Sequence, residues 1–341
     1  MGLYLKSGYL NFDHIEKVAN SNGINFIVII GKRQVGKTYG TLDLMLRRGY
    51  YFALLRRTAD EMKFIIVDVN NPFEKLPYET KIIPESKYTA KIELYEDDKA
   101  TRIGSVMALS TVAKIRGFDG SRYTQLVYDE AIPETHVIRL RNEGDAFLNC
   151  YTTIAGNREL DGLPPLRAWI LANSNDLDAP ILSALGITET VERMSYSKQE
   201  IAVLNERGIM IILPNSEAVT NKRTKTALYR AVGTASDFAK MSLNNEFSYN
   251  DASDVKRVDI RQYKPLVKVG ELFTIWEHKD GDTVYISTVG AATYRYVYDN
   301  TENGRRKFKN DFPDARALYL TGGVSFQSVG LKSLFVDFIY N

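Results

Sequence analysis

An α/β fold built around a mostly parallel sheet is the prediction for the first part of this chain, and three apolar runs support it. The runs Asn25–Ile30, Gln125–Tyr128 and Ala168–Ala172 are short and apolar, as buried parallel strands are. Helical patterns extend from Lys37 to about Arg48 and over residues 143–155. Strands that alternate with helices are typical of a three-layer α/β domain.

The segments between these runs predict further elements. Tyr50 to Leu55 predicts a second strand, and residues 81–109 predict one or two hairpins because apolar and polar residues alternate there. Towards the carboxyl terminus the sequence favours strands, and we expect turns at Gly281 and Gly304.

The pattern changes after about residue 205, which sets the expected domain boundaries. We expect a first domain over residues 1–205, a polar linker or lid over residues 206–237, and a small α+β domain over residues 238–341. A length of 341 residues is sufficient for such a division into two folded domains.

Composition limits the classes of function. The chain is 44% hydrophobic and 25% charged, with a net charge of +2, so tight and indiscriminate nucleic-acid binding by one chain is not expected. A single cysteine, Cys150, rules out an intrachain disulfide and is typical of a reducing compartment. No apolar run is long enough to predict a membrane span, and no secretory signal precedes the first strand. We therefore expect a cytoplasmic location.

A phosphate-binding loop follows the first predicted strand. The eight residues from Gly31 to Thr38 fit the P-loop pattern, with a strand before them and a helix after them. The glycines let backbone N–H groups surround the phosphates, while Lys37 reaches the β- and γ-phosphates and Thr38 binds Mg²⁺. ATP and Mg²⁺ are therefore the expected ligands. The expected nucleotide-binding residues are Gly31, Lys32, Arg33, Gln34, Val35, Gly36, Lys37, Thr38 and Tyr39.

Two acids end the strand Gln125–Tyr128. We expect Asp129 to hold Mg²⁺ through water and Glu130 to act as the general base that activates the attacking water. An acid directly after the aspartate favours the additional-strand, catalytic-glutamate branch of P-loop NTPases. Asn173 follows the next apolar strand, and we expect it to sense the γ-phosphate beside Glu130.

Arginines are expected to stabilise the charge that develops during phosphoryl transfer, where one such residue is worth roughly 10³–10⁵ in rate. Arg158 and Arg116 are the two candidates, and the sequence leaves the division of roles between them open. The pair Arg56-Arg57 is a further candidate to face nucleotide or DNA, with a solvated strand end as the alternative.

Together these residues resemble the genome-packaging ATPases of small tailed phages of the phi-29 type, which are relatives of the large terminases. The resemblance includes the loop at Gly31–Thr38 and the acids after Tyr128. It also includes the turn Asn157–Glu159 and Leu171–Ser174, and it is most specific at Met241–Phe247.

The resemblance implies a ring of five identical subunits at the portal of an empty capsid, in the cytoplasm of the host cell. ATP hydrolysis would drive double-stranded DNA inward, and Arg158 matches the turn that carries the family's trans-acting arginine. The C-terminal domain would have a nuclease-like, RNase H-like fold without nuclease activity. It would contact packaging RNA and the portal region.

Three functions remain open at this point. The first is a DNA-packaging motor, the second another translocase or helicase on the same fold, and the third a nucleotide-dependent switch. For the C-terminal domain, the scattered acids Glu277, Asp299 and Asp337 leave nuclease chemistry as the alternative to docking. The densest basic tract, Arg305–Lys309, is expected to contact phosphates of RNA or DNA, and its alternative is an exposed hairpin tip.

Overall fold

The chain divides into two compact units, Met1–Ser248 and Tyr249–Asn341. A computed structural model describes residues 2–32, 34–67, 70–97, 99–114, 119–133, 140, 142–174, 177, 179–233 and 254–340. No helix within these ranges combines the length and the apolar character that a membrane span requires.

In the first unit the described residues form nine strands and eight α-helices. The strands are β1 (Phe26–Ile30), β2 (Phe52–Arg56), β3 (Glu79–Pro84), β4 (Thr89–Glu96), β5 (Lys99–Ala108), β6 (Gln125–Tyr128), β7 (Arg167–Ala172), β8 (Ile201–Leu204) and β9 (Ile209–Ile212). The helices are α1 (Phe12–Ser21), α2 (Lys37–Arg47), α3 (Ala59–Ile66), α4 (Glu143–Ala155), α5 (Pro180–Ala184), α6 (Thr188–Ser197), α7 (Glu217–Thr224) and α8 (Ala227–Val232). The predicted strand at residues 125–128 and the predicted helix at residues 143–155 are confirmed.

All nine strands belong to one sheet, in the order β3-β4-β5-β2-β6-β7-β1-β9-β8. Each neighbouring pair from β5 to β9 in this order is parallel. The strands β3, β4 and β8 pair antiparallel, and β3, β4 and β5 form the predicted hairpins. Strand β7 lies between β1 and β6, the position expected of an additional strand.

The parallel strands give the sheet two chemically different edges. Loops that follow β1, β2, β6 and β7 all leave from the same edge, which we call the carboxyl edge, and the opposite one is the amino edge. The sheet is covered on both faces, because consecutive residues from Ile27 to Ile30 are all buried. The carboxyl edge is therefore where loops from several strands meet over a rigid base.

The sheet continues beyond the expected domain boundary at residue 205. Strand β9 pairs with β1, so the range 206–237 contains a strand of the sheet as well as α7 and α8. All four residues of β9 are buried. The run Ile209–Leu213 has five apolar residues and indicates a strand, but the polar residues 215–235 that follow it favour a linker or lid over the whole range.

The second unit is a five-stranded mixed sheet with helices. Its strands are β10 (Tyr263–Val269), β11 (Phe273–His278), β12 (Val284–Ser287), β13 (Tyr296–Tyr298) and β14 (Val324–Phe326), in the order β13-β10-β11-β12-β14. Strands β10, β11 and β12 are antiparallel, β13 is parallel to β10, and β14 is parallel to β12. The described helices are α9 (Glu302–Asp311), α10 (Ala315–Leu320) and α11 (Val329–Tyr340).

Helix α9 corrects two expectations about the basic tract. Gly304 does not mark a turn but lies in the first turn of α9, where its N–H donates to the Thr301 hydroxyl at 3.2 Å. A Cβ at Gly304 would lie only 2.2 Å from the carbonyl oxygen of Asp299, so glycine is needed for close packing. The tract is helical as well, and Phe308 within it is 2% exposed and belongs to the core. The hairpin-tip alternative is therefore wrong.

Candidate functional site

The loop between β1 and α2 has the backbone geometry of a phosphate cradle. Gly36, directly before α2, has φ +83°, a conformation that glycine adopts without strain. Gln34 is also in the left-handed region, with φ +65°. A Cβ at Gly36 would lie 3.4 Å from the ring of Tyr9, so the N-terminal segment packs directly against the loop.

The ammonium group of Lys37 stands at the centre of this loop. Its Nζ donates to the carbonyl oxygens of Gly31 at 2.8 Å and Lys32 at 2.9 Å. It also donates to Oδ1 of Asn173 at 3.0 Å, which follows β7. The lysine and the expected sensor residue are therefore brought together at the carboxyl edge.

Asp129 and Glu130 follow β6 at the same edge. The Thr38 hydroxyl donates to Oδ1 of Asp129 at 2.9 Å, so the two expected Mg²⁺ ligands are in contact. Asp129 is 5% exposed, whereas the side chain of Glu130 is 58% exposed. The backbone of Glu130 has φ +58°, an unusual conformation for a residue other than glycine that turns the chain sharply after Asp129.

Arg56, the last residue of β2, joins the two acids. Its Nη1 lies 2.8 Å from Oδ2 of Asp129, and its Nη2 lies 2.7 Å from Oε2 of Glu130. The alternative that Arg56-Arg57 is a solvated strand end is wrong, because the two residues are 7% and 1% exposed, and the sequence does not predict the contact with the acids. The contact depends on the order of the strands in the sheet. Strands β2 and β6 are neighbours, although Arg56 and Asp129 are 73 positions apart in sequence.

Arg57, the next residue, has a different partner. Its Nε and Nη2 donate to the two carboxylate oxygens of Glu143 at 2.6 and 3.0 Å, and both side chains are 2% exposed. The Tyr128 hydroxyl donates to the same carboxylate at 3.1 Å. Burial, together with the nearby Glu143, raises the pKa of Tyr128 well above its usual range. This buried group fixes the start of α4 against β6.

Arg158 lies at the amino edge, away from this chain's own phosphate loop. Its Nε donates to the carbonyl oxygen of Pro164 at 2.6 Å, and its Nη1 donates to the carbonyl oxygen of Tyr123. Tyr123 precedes β6 and Pro164 precedes β7, so both carbonyls are at the strand starts. Arg158 is 6% exposed. Within one chain the structure does not bring it to the site.

The remaining expected residues have varied placements. Arg116 and Arg33 lie outside the described residues. Val35 is fully buried, and Tyr39 is 47% exposed at the site. The side chain of Lys32 is buried and points towards α7, so only its backbone faces the loop interior.

A cavity of about 480 Å³ connects these groups. Its lining includes Lys37, Thr38, Asp129, Glu130 and Asn173. A cavity of this size accommodates a small-molecule ligand such as a nucleoside triphosphate. The adjacent hydroxyl and carboxylate fit Mg²⁺, which is usually held by one or two protein oxygens together with substrate phosphates. No cluster of three or more metal-ligating side chains exists among the described residues.

Comparison with known families identifies the chain. Residues 5–312 match the family described as podovirus DNA encapsidation protein (Gp16). The chain belongs to this family. The resemblance to phage genome-packaging proteins is therefore confirmed, and packaging of viral DNA by a motor is the function of this Gp16-family chain. A comparison with curated protein sequences gives no match.

Two solved structures are similar to this Gp16-family chain over nearly its whole length. The structure of the Phi-28 gp11 DNA packaging motor is 19% identical, with a TM-score of 0.60, covering 95% of this chain and 97% of that chain. That of the bacteriophage Phi-29 viral genome packaging motor assembly is 18% identical, with a TM-score of 0.64, covering 96% and 98%. At these identities the likeness shows the fold.

Proposed function

We propose that this chain is an ATPase that converts ATP hydrolysis into translocation of double-stranded DNA into a preformed capsid. The observation that carries the proposal is the contact of Thr38 with Asp129 beside Lys37, at the edge where Glu130 also lies. This combination supplies a cation for phosphate, oxygen ligands for a metal ion and a base for water. A nucleotide switch without hydrolysis would have no use for Glu130.

Lys37 would bind the β- and γ-phosphates, and the N–H groups of residues 31–37 would bind the same oxygens. Thr38 and Asp129 would hold Mg²⁺, Asp129 through water. When bound, Mg²⁺ neutralises the negative charge that develops on the phosphates. Asn173, which contacts Lys37, would report the presence of the γ-phosphate.

Glu130 would accept a proton from the attacking water. The water oxygen bonds to the γ-phosphorus as the bond to the β–γ bridging oxygen breaks, and ADP and phosphate leave. The exposed carboxylate of Glu130 is compatible with contact to water and substrate. Arg56 holds this carboxylate at 2.7 Å, so it sets where the base stands.

The trans-acting arginine remains a proposal. Arg158 is at the amino edge, so it would reach only the nucleotide of a neighbouring subunit, after giving up its contacts with the carbonyls of Tyr123 and Pro164. Arg116 is the second candidate. The neighbouring subunit would belong to a ring of five identical subunits at the capsid portal in the host cell. Packaging RNA is the proposed scaffold of this ring.

The second unit is proposed to dock and not to cut DNA, on a nuclease-like, RNase H-like fold. Two-metal cleavage needs several carboxylates that converge on ions about 3.5–4 Å apart. No such cluster occurs among the described residues. Asp337 is paired with Arg305 at 2.9 Å, and Asp299 accepts hydrogen bonds from Thr301, so both acids have structural partners.

A packaging assay tests the proposal. Full-length chain, empty capsids with their portal, double-stranded DNA and ATP are mixed, and the DNA protected from added nuclease is measured. We expect protection with wild type and none with Glu130→Gln, which still binds ATP but hydrolyses it about 10²–10⁴-fold more slowly.

The control is Glu74→Gln, an exposed acid outside the cavity, which should package normally. Packaging by Glu130→Gln at the wild-type rate would show that the base lies elsewhere. Hydrolysis without any protected DNA, whatever the capsid, would favour another translocase.

A further inference from the structure

Lys32, the second residue of the phosphate loop, is buried in a way that phosphate binding does not require. It is 1% exposed, and its ammonium group points to the start of α7 and not to the nucleotide cavity. Its Nζ donates to Oδ1 of Asn215 at 3.1 Å, to the Thr220 hydroxyl at 2.5 Å and to the carbonyl oxygen of Ser216 at 3.5 Å. These acceptors are 183 to 188 positions away in sequence.

The acceptors are themselves held in place. The Thr220 hydroxyl donates to the carbonyl oxygen of Ser216 at 3.0 Å, so it accepts from Lys32. The Ser216 side chain caps α7 by accepting from the N–H of Val219 at 3.4 Å. The N–H of Asn215 donates to Oε1 of Glu200 at 2.7 Å. Lys32 therefore contacts a hydrogen-bonded segment, Asn215–Thr220, from which α7 begins.

The same residue also faces the nucleotide. The carbonyl oxygen of Lys32 accepts from Nζ of Lys37 at 2.9 Å. Phosphate oxygens carry a full negative charge and compete with this carbonyl for the ammonium group. Binding of phosphate thus changes the forces on the backbone of Lys32, while its side chain stays anchored to α7.

We propose that Lys32 is a positioning residue that transmits occupancy of the nucleotide loop to α7. The inference rests on the proposed function, because it requires that the loop bind ATP. From α7 the contact continues to α8, since Arg223 on α7 and Tyr229 on α8 are hydrogen-bonded and the guanidinium lies 5.0 Å from the ring centre. Helices α7 and α8 precede the second unit in the chain.

Hydrogen exchange of the full-length chain tests this. Backbone amides of residues 31–38 and of α7 are followed with and without a non-hydrolysable ATP analogue and Mg²⁺. In wild type we expect both segments to exchange more slowly with the analogue, α7 by about tenfold, which corresponds to about 1.4 kcal/mol.

Lys32→Met should keep the response of residues 31–38 and lose that of α7. Thr220→Val removes the acceptor on α7 and should give the same result if Lys32→Met fails to fold. Lys225→Met, which replaces an exposed lysine directly after α7, should respond as wild type does.

An α7 response that persists in both Lys32→Met and Thr220→Val would overturn the inference. If residues 31–38 respond in wild type and α7 does not, the inference fails alone. If neither segment responds to the analogue, the proposed function fails together with it.

A pH series gives a second reading. Burial lowers the pKa of Lys32 to about 8; Arg223 also lowers it, while Glu200 and Glu217 oppose the shift. Above that pH the amine is neutral and has two N–H groups for three acceptors. After correction for intrinsic exchange rates, the α7 response should be smaller at pH 9 than at pH 7. Equal responses would show that the ammonium group is not the link.

Discussion

Two consecutive arginines at the end of β2 have opposite surroundings. Arg56 contacts Asp129 and Glu130, and the Glu130 side chain is 58% exposed beside the nucleotide cavity. Arg57 contacts Glu143, and both of those side chains are 2% exposed. Arg57 follows the last residue of β2 and also borders the cavity, but its guanidinium holds the buried Glu143 and not the two acids.

The difference shows what makes an ion pair available for function. The two carboxylates that Arg56 contacts can also bind other groups. Asp129 accepts a hydrogen bond from Thr38, and the side chain of Glu130 is exposed to solvent. Glu143 is 2% exposed, and Arg57 and Tyr128 both donate hydrogen bonds to its carboxylate. We therefore expect substitutions around Arg56 to change turnover and those around Arg57 to change stability.

Arg158 differs from both Arg56 and Arg57, because its described partners are neutral carbonyls. If it acts on a neighbouring subunit, Arg158→Ala should lower hydrolysis by roughly 10³–10⁵. Mixing Arg158→Ala subunits with Lys37→Ala subunits should then restore part of the activity, because some interfaces combine an intact loop with an intact arginine. The measurement is phosphate release across a series of mixing ratios.

Arg158→Lys is the control for folding, since it keeps a cation where the carbonyls of Tyr123 and Pro164 need a donor. With assembly verified, absence of recovery at every ratio would contradict a trans role. The same series with Arg116→Ala assigns the second candidate.

Glu143→Ala should cause a large loss of stability. Removal of one member of a buried ion pair costs about 3–5 kcal/mol, because the charge of Arg57 stays buried without a partner. Glu130→Ala is the matched control and should change the free energy of unfolding by less than about 0.5 kcal/mol. Urea denaturation of both variants checks this. Equal losses would remove the distinction between the two arginines.

The same contrast recurs on α9 in the second unit. Arg305 is paired with Asp337 at 2.9 Å, whereas Arg306 and Lys307 are exposed. If the exposed pair binds phosphates of RNA or DNA, the double variant Arg306→Glu with Lys307→Glu should reduce the slope of log K against log salt by about two. Arg305→Ala should leave that slope nearly unchanged. Basal ATP hydrolysis should persist in both, and an unchanged slope in the double variant would exclude this surface.

Cys150 on α4 tests how firmly the ion pair between Arg57 and Glu143 holds this helix, and the expected effect is the smallest of the series. Burial raises the pKa of its thiol to about 12, so the native chain should react with a thiol reagent at pH 8 only as fast as it opens. In the unfolded chain the thiol ionises near pH 8.5, so this contribution to stability is complete below that pH and declines as pH rises towards 12. Rapid labelling of the native chain would show that α4 is not fixed. Glu143→Ala should accelerate labelling.

Local patterns carried much of the prediction from sequence. The phosphate loop, β6 with its two acids, and α4 are each specified by residues close together in the chain, so spacing and periodicity were sufficient. The contact between Arg56 and the acids depends on β2 lying beside β6, and the contact of Lys32 with Thr220 spans 188 positions. Neither follows from a local pattern.

Other differences have equally physical causes. Strand β9 lies in a run of five apolar residues, Ile209–Leu213, but the polar residues 215–235 after it favour a linker. Gly304 was assigned to a turn because a glycine among polar residues usually marks one, whereas here it makes room for Asp299. Arg158 is buried against carbonyls that precede β6 and β7. These two strands are neighbours only in the folded sheet, so the sequence alone does not predict the contact.

Hydrolysis of ATP at the carboxyl edge is tested by steady-state phosphate release from the full-length chain and from Lys37→Ala, with Mg²⁺ and double-stranded DNA present. Loss of the cation at the phosphates should reduce the rate by about 10²–10³-fold, while Lys17→Ala, which replaces an exposed lysine on α1, should match wild type. Turnover by Lys37→Ala near the wild-type rate would contradict the assignment of the carboxyl edge as the site of ATP hydrolysis.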